Sequence, residues 1–223
     1  MLDALRDGVG GYRRLSDCNG NMNWPDKGVY FFFENGELRN QSGNGPRVVR
    51  VGTHAVSEGS RTTLWNRLSN HRGTAKSGGG NHRGSVFRLL IGASLSNKHP
   101  HLQCALWGDK QSAPKEVRVS EHGLECAVSK HIGSMPFLWL EVDDASAPDS
   151  MRSYIERNSI ALLSNFGKAN NETIDPASKG WLGKFCPKEN IPKSGLWNSN
   201  HVAETYDPEF LLVFRKYVDK MTR

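Results

Sequence analysis

An α+β domain is the fold class this sequence predicts, and three observations carry the prediction. Short runs of β-branched and aromatic residues recur at Gly28–Phe33, Arg47–Gly52, Ser85–Leu95 and Phe137–Val142 and read as strands. Apolar residues at helical spacing occupy other segments, most clearly Met151, Ile155, Leu162 and Phe166. The order is two strands and a helix, one more strand, a long gap, and then a strand and a helix. That order indicates a small antiparallel sheet flanked by helices, with a large insertion and a C-terminal extension. The 223 residues are enough to bury a core in a single domain over 1–223, and 37% hydrophobic with 9% aromatic content excludes a disordered chain.

Taken in order, residues 1–27 carry a weak helical pattern at Leu2, Leu5 and Val9, then a polar stretch ending at Trp24-Pro25. Gly28–Phe33 and Arg47–Gly52 should pair as an antiparallel hairpin with a long polar tip, because Asn35-Gly36 and Gly43-Asn44-Gly45 break the chain between them. Ser60 is the expected cap of a helix over 61–72, with Leu64 and Leu68 on one face. Arg67 and His71 sit four apart on an adjoining face. The glycine-rich loop Gly78-Gly79-Gly80 leads into the strand expected at Ser85–Leu95, and a short helix is expected near Glu121–Ile132. Ser146 should cap the next helix, which runs to about Phe166 with Pro148 tolerated in its first turn. A Pro/Gly/Asn-rich stretch over 167–208 precedes a final amphipathic helix from Asp207-Pro208 to about Lys220.

Composition narrows the function. No apolar run is long enough to cross a bilayer and no signal-peptide core follows the N-terminus, so a soluble cytoplasmic protein is expected. Cys18, Cys104, Cys126 and Cys186 are scattered and read as free thiols. His99, His101 and Cys104 form a weak candidate zinc cluster. Neither glycine cluster ends in the Gly-Lys-Ser/Thr of a phosphate-binding loop, which argues against nucleoside triphosphate chemistry.

Charge is the stronger signal. The formal net charge is +6, from 29 Lys+Arg against 23 Asp+Glu. Residues 59–108 contain no Asp or Glu but hold Arg61, Arg67, Arg72, Lys76, Arg83, Arg88 and Lys98. An acid-free basic window of that length suits a polyphosphate backbone. Within it, Lys76, Asn81, His82, Arg83 and Arg88 are the expected nucleic-acid contacts, since small residues let a backbone approach a phosphate.

Gly28-Val29-Tyr30 on the first strand, Arg50-Val51-Gly52 on the second, Arg67 and His71 on the following helix, and Glu156 on a later helix form an ordered set. The set resembles the GIY-YIG nuclease family over roughly 28–72 and 136–171. The intervening 73–135 would be a basic insertion and 172–223 a C-terminal extension. The resemblance implies hydrolysis of phosphodiester bonds in DNA, with RNA as the other substrate class, in a restriction or repair setting. It assigns Tyr30 as general base or water-positioning group, Arg67 to the scissile phosphate and Glu156 to a Mg²⁺ or Mn²⁺ ion. It leaves His71 to polarise Tyr30 or bind phosphate.

Arg50 stands where the family has its second tyrosine. A guanidinium can donate to an anion but cannot act as a base. An Asn completes the family site: Asn171 is the expected residue, with the amide-rich segment Gly195–His201, which contains Asn198, as its rival. A homodimer would suit cleavage of both strands of a symmetric site. The alternative is a binding module that keeps the fold and has lost catalysis.

Overall fold

Four strands form one antiparallel sheet with helices on both faces. The computed structural model describes residues 1–222. The strands are β1 (Arg13–Arg14), β2 (Gly28–Leu38), β3 (Pro46–Gly52) and β4 (Pro136–Glu141), in the spatial order β1-β4-β2-β3. The helices are α1 (Leu2–Val9), α2 (Leu64–Arg72), α3 (Val86–Lys98), α4 (Lys115–Ser134), α5 (Met151–Leu163), α6 (Asn190–Ser194) and α7 (Phe210–Met221). No helix among the described residues is long and apolar enough to cross a membrane.

Val29–Phe33 is buried throughout because β2 is central and covered on both sides. Tyr30, Phe32 and Phe137 pack with Leu64 and Leu68 of α2, Phe87 and Ile91 of α3, and Val128 and Ile132 of α4. Val29, Phe31, Phe33, Leu138 and Leu140 pack on the opposite face with Leu5 of α1, Ile155 of α5 and Phe214 and Val218 of α7. Phe32 pairs with Arg50 and Phe33 with Val48, so Val49 is an extra residue in the ladder. Val49 therefore turns to the α2–α4 face, while Val48 and Val51 face the other way.

β3 lies at the sheet edge, where unpaired backbone groups invite association. The loop after α6 covers it: the Trp197 N–H donates to the Val49 carbonyl at 2.7 Å. The Asn198 side chain accepts from the Val51 N–H at 3.1 Å and donates to the Val51 carbonyl at 2.8 Å.

Several expected elements differ. The strand expected at Ser85–Leu95 is instead the cap and first turns of α3 (Val86–Lys98). Ser85 caps it by accepting from the Arg88 N–H, and Phe87, Leu90, Ile91, Ser94 and Leu95 are buried at helical spacing. A short apolar run buried on most sides looks alike in helix and strand, which is why the sequence misleads here. Gly92 is required within this helix, because a Cβ would meet the Trp107 indole at 2.1 Å. Thr63, not Ser60, caps α2, and Ser150, not Ser146, caps α5, which ends at Leu163. α4 is longer than expected, at 20 residues.

Candidate active site

The hairpin glycines make room for the central tyrosine. Gly52 lies directly opposite Tyr30, and a Cβ there would sit 2.3 Å from the phenol oxygen. A Cβ on Gly28 would sit 2.5 Å from the Leu140 carbonyl oxygen. Glycine at both positions is thus a steric demand of the Tyr30 ring and the central strand pairing.

Around Tyr30 the structure gathers the expected residues. Tyr30 Oη lies 2.8 Å from His71 Nε2, and His71 Nδ1 lies 2.8 Å from Ser85 Oγ. His71 is fully buried, and burial holds its pKa well below 6.5, with the charges of Arg67, Arg50 and Arg88 adding to the effect, so the imidazole is neutral. Arg50 is on the same sheet face, with its guanidinium 4.7 Å over the Phe87 ring and Nη1 donating to the Trp197 carbonyl at 2.5 Å. Burial pulls the Arg50 pKa down, and the Tyr30 oxygen and Glu156 oppose that. Arg67 is held above its ordinary value first by the Tyr30 oxygen, with burial opposing. The Nε atoms of Arg50 and Arg67 are both buried with no partner among the described residues. Two permanently charged side chains beside one phenol make this a strongly cationic corner of the core.

Glu156 approaches from α5, one residue after the buried Ile155. Its Oε1 accepts from the Thr53 N–H at 3.2 Å, immediately past Gly52. Burial raises its pKa, while Arg50, His201, the Thr53 N–H and Arg67 pull it back. No hydrogen bond to the other oxygen, Oε2, is found among the described residues, and that oxygen is not sealed from solvent. One carboxylate with one free oxygen fits a hard divalent cation that keeps most of its ligands as water and substrate oxygens. It does not fit structural zinc. Among the described residues no group of three or more His, Cys, Asp or Glu could hold a metal, so the weak candidate His99, His101 and Cys104 is not assembled as a zinc site.

Asn171 is displaced from the role expected of it. It is exposed in the turn after α5, whereas Asn198 is buried and brackets Val51 between Arg50 and Gly52. The family-derived spacing pointed to the nearer Asn, while the rival segment's density of amides beside Trp197 was the useful signal. Two neighbours were not foreseen. Ser85 contacts His71, and His54 is 5% exposed, with burial taking its pKa down to about 4. His54 Nδ1 lies 2.8 Å from the Thr62 carbonyl, while its Nε2 is buried without a partner. Arg152, itself fully buried, donates to the carbonyls of His54 and Ala55 and holds Ala55 at φ 54.

The basic segment is also corrected. Arg88 has no exposed surface: it pairs with Glu125, donates to the His71 carbonyl at 2.8 Å and to Ser129 Oγ at 3.0 Å. His82 is buried with Nδ1 2.9 Å from Glu125 Oε1. Arg83 forms a two-pronged pair with Glu121, each prong 2.7 Å. None of the three is free to meet a phosphate. The glycines serve Arg88, since a Cβ on Gly80 would meet its guanidinium carbon at 2.3 Å. Asn81 caps the turn His82–Gly84, and Lys76 remains exposed.

The chain matches a family model described as a GIY-YIG domain over residues 1–223, a match that runs through both 73–135 and 172–223. Neither a curated protein nor a solved structure matches it significantly. With Tyr30 seated across Gly52 and that whole-length match, the chain belongs to the GIY-YIG family of nuclease domains.

Proposed function

We propose that this protein is an endonuclease that hydrolyses phosphodiester bonds of DNA with the help of a divalent cation, Mg²⁺ or Mn²⁺. The observation that carries the reading is the gathering of Arg50, Arg67 and His71 on one phenol oxygen, with Glu156 close enough to couple to both arginines. Tyr30 would position the attacking water, or would take its proton once its own has passed to the neutral His71 Nε2, 2.8 Å away. Arg67 and Arg50 supply permanently charged guanidinium donors for the phosphoryl oxygens. Neutral His71 orients the phenol. Glu156 would hold the cation through Oε2 while the Thr53 N–H fixes Oε1. A bound cation supplies neutralisation of the charge that develops on the phosphoryl group. No covalent intermediate is needed.

Supercoiled plasmid and an RNA of matched length, incubated with and without Mg²⁺, test this reading. The expected result is metal-dependent cleavage of DNA that is abolished in Glu156→Gln. Absence of cleavage under any divalent cation, with DNA binding retained, would replace the reading by a binding module in which Arg50 marks the loss of catalysis.

A further inference from the structure

We infer that His201 is a second protein ligand of the cation site, presenting Nε2 to the ion that Glu156 would hold, with Glu204 as the carboxylate that orients the ring. This role rests on the nuclease reading, which supplies the ion. The loop carrying His201 is fastened to the two elements that build the Glu156 corner. Asn198 ties it to Val51 of β3, and Ser164, just past α5, donates to the Val202 carbonyl at 2.7 Å. Between them Asn190 donates to the Ser199 carbonyl at 3.1 Å. Thr53 follows β3 and Glu156 lies on α5, so their hydrogen bond closes the same corner. Burial raises the Glu156 pKa, and among the groups that pull it back His201 stands second only to Arg50, as expected of an imidazole near the carboxylate. The His201 backbone is at φ 63, a left-handed conformation that residues other than glycine adopt rarely. Strain of that kind persists where the surroundings impose it, and it gathers at ligand clamps.

The ring has one nitrogen to offer. His201 Nδ1 lies 2.8 Å from Glu204 Oε1, and the other Glu204 oxygen is paired with Arg157, the chain neighbour of Glu156. A carboxylate held by a guanidinium has no proton to give, so Nδ1 is the donor. The neutral ring then keeps its lone pair on Nε2. No hydrogen bond to that nitrogen is found among the described residues, and like Glu156 Oε2 it is not sealed from solvent. A carboxylate behind one imidazole nitrogen, with a cation before the other, is how proteins commonly fix a histidine ligand. A nitrogen lone pair suits a transition ion better than Mg²⁺, so of the two proposed cations Mn²⁺ fits this pair better.

The contact can be read without any cleavage. Pulsed electron paramagnetic resonance on the Mn²⁺-loaded protein detects a bound nitrogen, because a ¹⁴N ligand modulates the electron spin echo of the ion. The expected result is ¹⁴N modulation in the wild type that disappears in His201→Gln, with the bound ion itself lost in Glu156→Gln. Titration should show Mn²⁺ binding weakened about 10–100-fold in His201→Gln. Mg²⁺ binding should change by no more than a few-fold. Mn²⁺ that binds through Glu156 without nitrogen modulation overturns the role of His201 and leaves the nuclease reading standing. Modulation that survives in His201→Gln assigns the nitrogen elsewhere and overturns it equally, as does a wild type that takes up no Mn²⁺. A wild type with the modulation that leaves plasmid uncut would overturn the nuclease reading alone.

Discussion

The hairpin and α2, residues 28–72, and the segment 81–88 use the same vocabulary of Arg, His and Gly to opposite ends. In the first, Arg50 and Arg67 are gathered on one phenol and each keeps a buried, unpartnered Nε. In the second, Arg83, Arg88 and His82 are met by carboxylates. Glycine follows the same division: Gly52 makes room for a proposed catalytic ring, and Gly80 makes room for a structural guanidinium. Carboxylate pairing, not residue type, separates these two regions: Arg83 and Arg88 are each paired with a carboxylate, and no ion pair to a carboxylate is found for Arg50 or Arg67 among the described residues. A buried cation whose hydrogen bonds are all met has nothing left to offer a ligand.

The largest effect expected from this contrast is on stability. Arg88→Ala removes one partner of a fully buried pair and leaves Glu125 Oε2 without its guanidinium, with only His82 remaining on Oε1, which should cost about 3–5 kcal/mol in denaturant unfolding. Little change would mean that the network is not a scaffold. A smaller effect separates the two candidate asparagines. Asn198→Ala should cost about 1–3 kcal/mol by orphaning both backbone groups of Val51. The exposed Asn171→Ala should stay within about 0.5 kcal/mol, and equal effects would undo the choice between them.

How much of this was legible in the sequence follows from where the partners lie. The hairpin, α2, Tyr30, Arg67, His71 and Glu156 could be found because their elements are local and their order resembles a known arrangement. The acid-free window misled because the carboxylates that neutralise it, Glu121 and Glu125, lie beyond its end and return on the buried face of α4. No count of charge along the chain contains that pairing. α3 was read as a strand because its apolar run is buried against the sheet and α4 at once. Asn198 was underrated because it reaches β3 across 147 positions of the chain.

Acid should expose the buried histidines. His54, with its pKa lowered to about 4, and His71, lowered well below 6.5, stay neutral in the folded state while the unfolded chain takes up protons. Stability is therefore full above pH 6.5 and falls as pH drops towards 4. Thermal unfolding across that window should show the decline, and His54→Gln should make it shallower. A midpoint that rises on acidification would contradict the neutral assignment. The smallest expected effect is on binding. Arg83→Gln should leave the salt dependence of DNA affinity unchanged, because its charge is already spent on Glu121. A slope reduced by about one unit would return Arg83 to the DNA surface.

The contrast is tested most directly by the single-turnover rate of plasmid cleavage in Mg²⁺ for Arg67→Gln and Arg83→Gln, measured side by side at saturating protein. Arg67→Gln should be slower than wild type by about 10²–10³-fold, the scale expected when one donor to a developing charge is removed. Arg83→Gln should stay within a few-fold of wild type. Equal losses in the two variants, or the larger loss in Arg83→Gln, would contradict the division between site and scaffold.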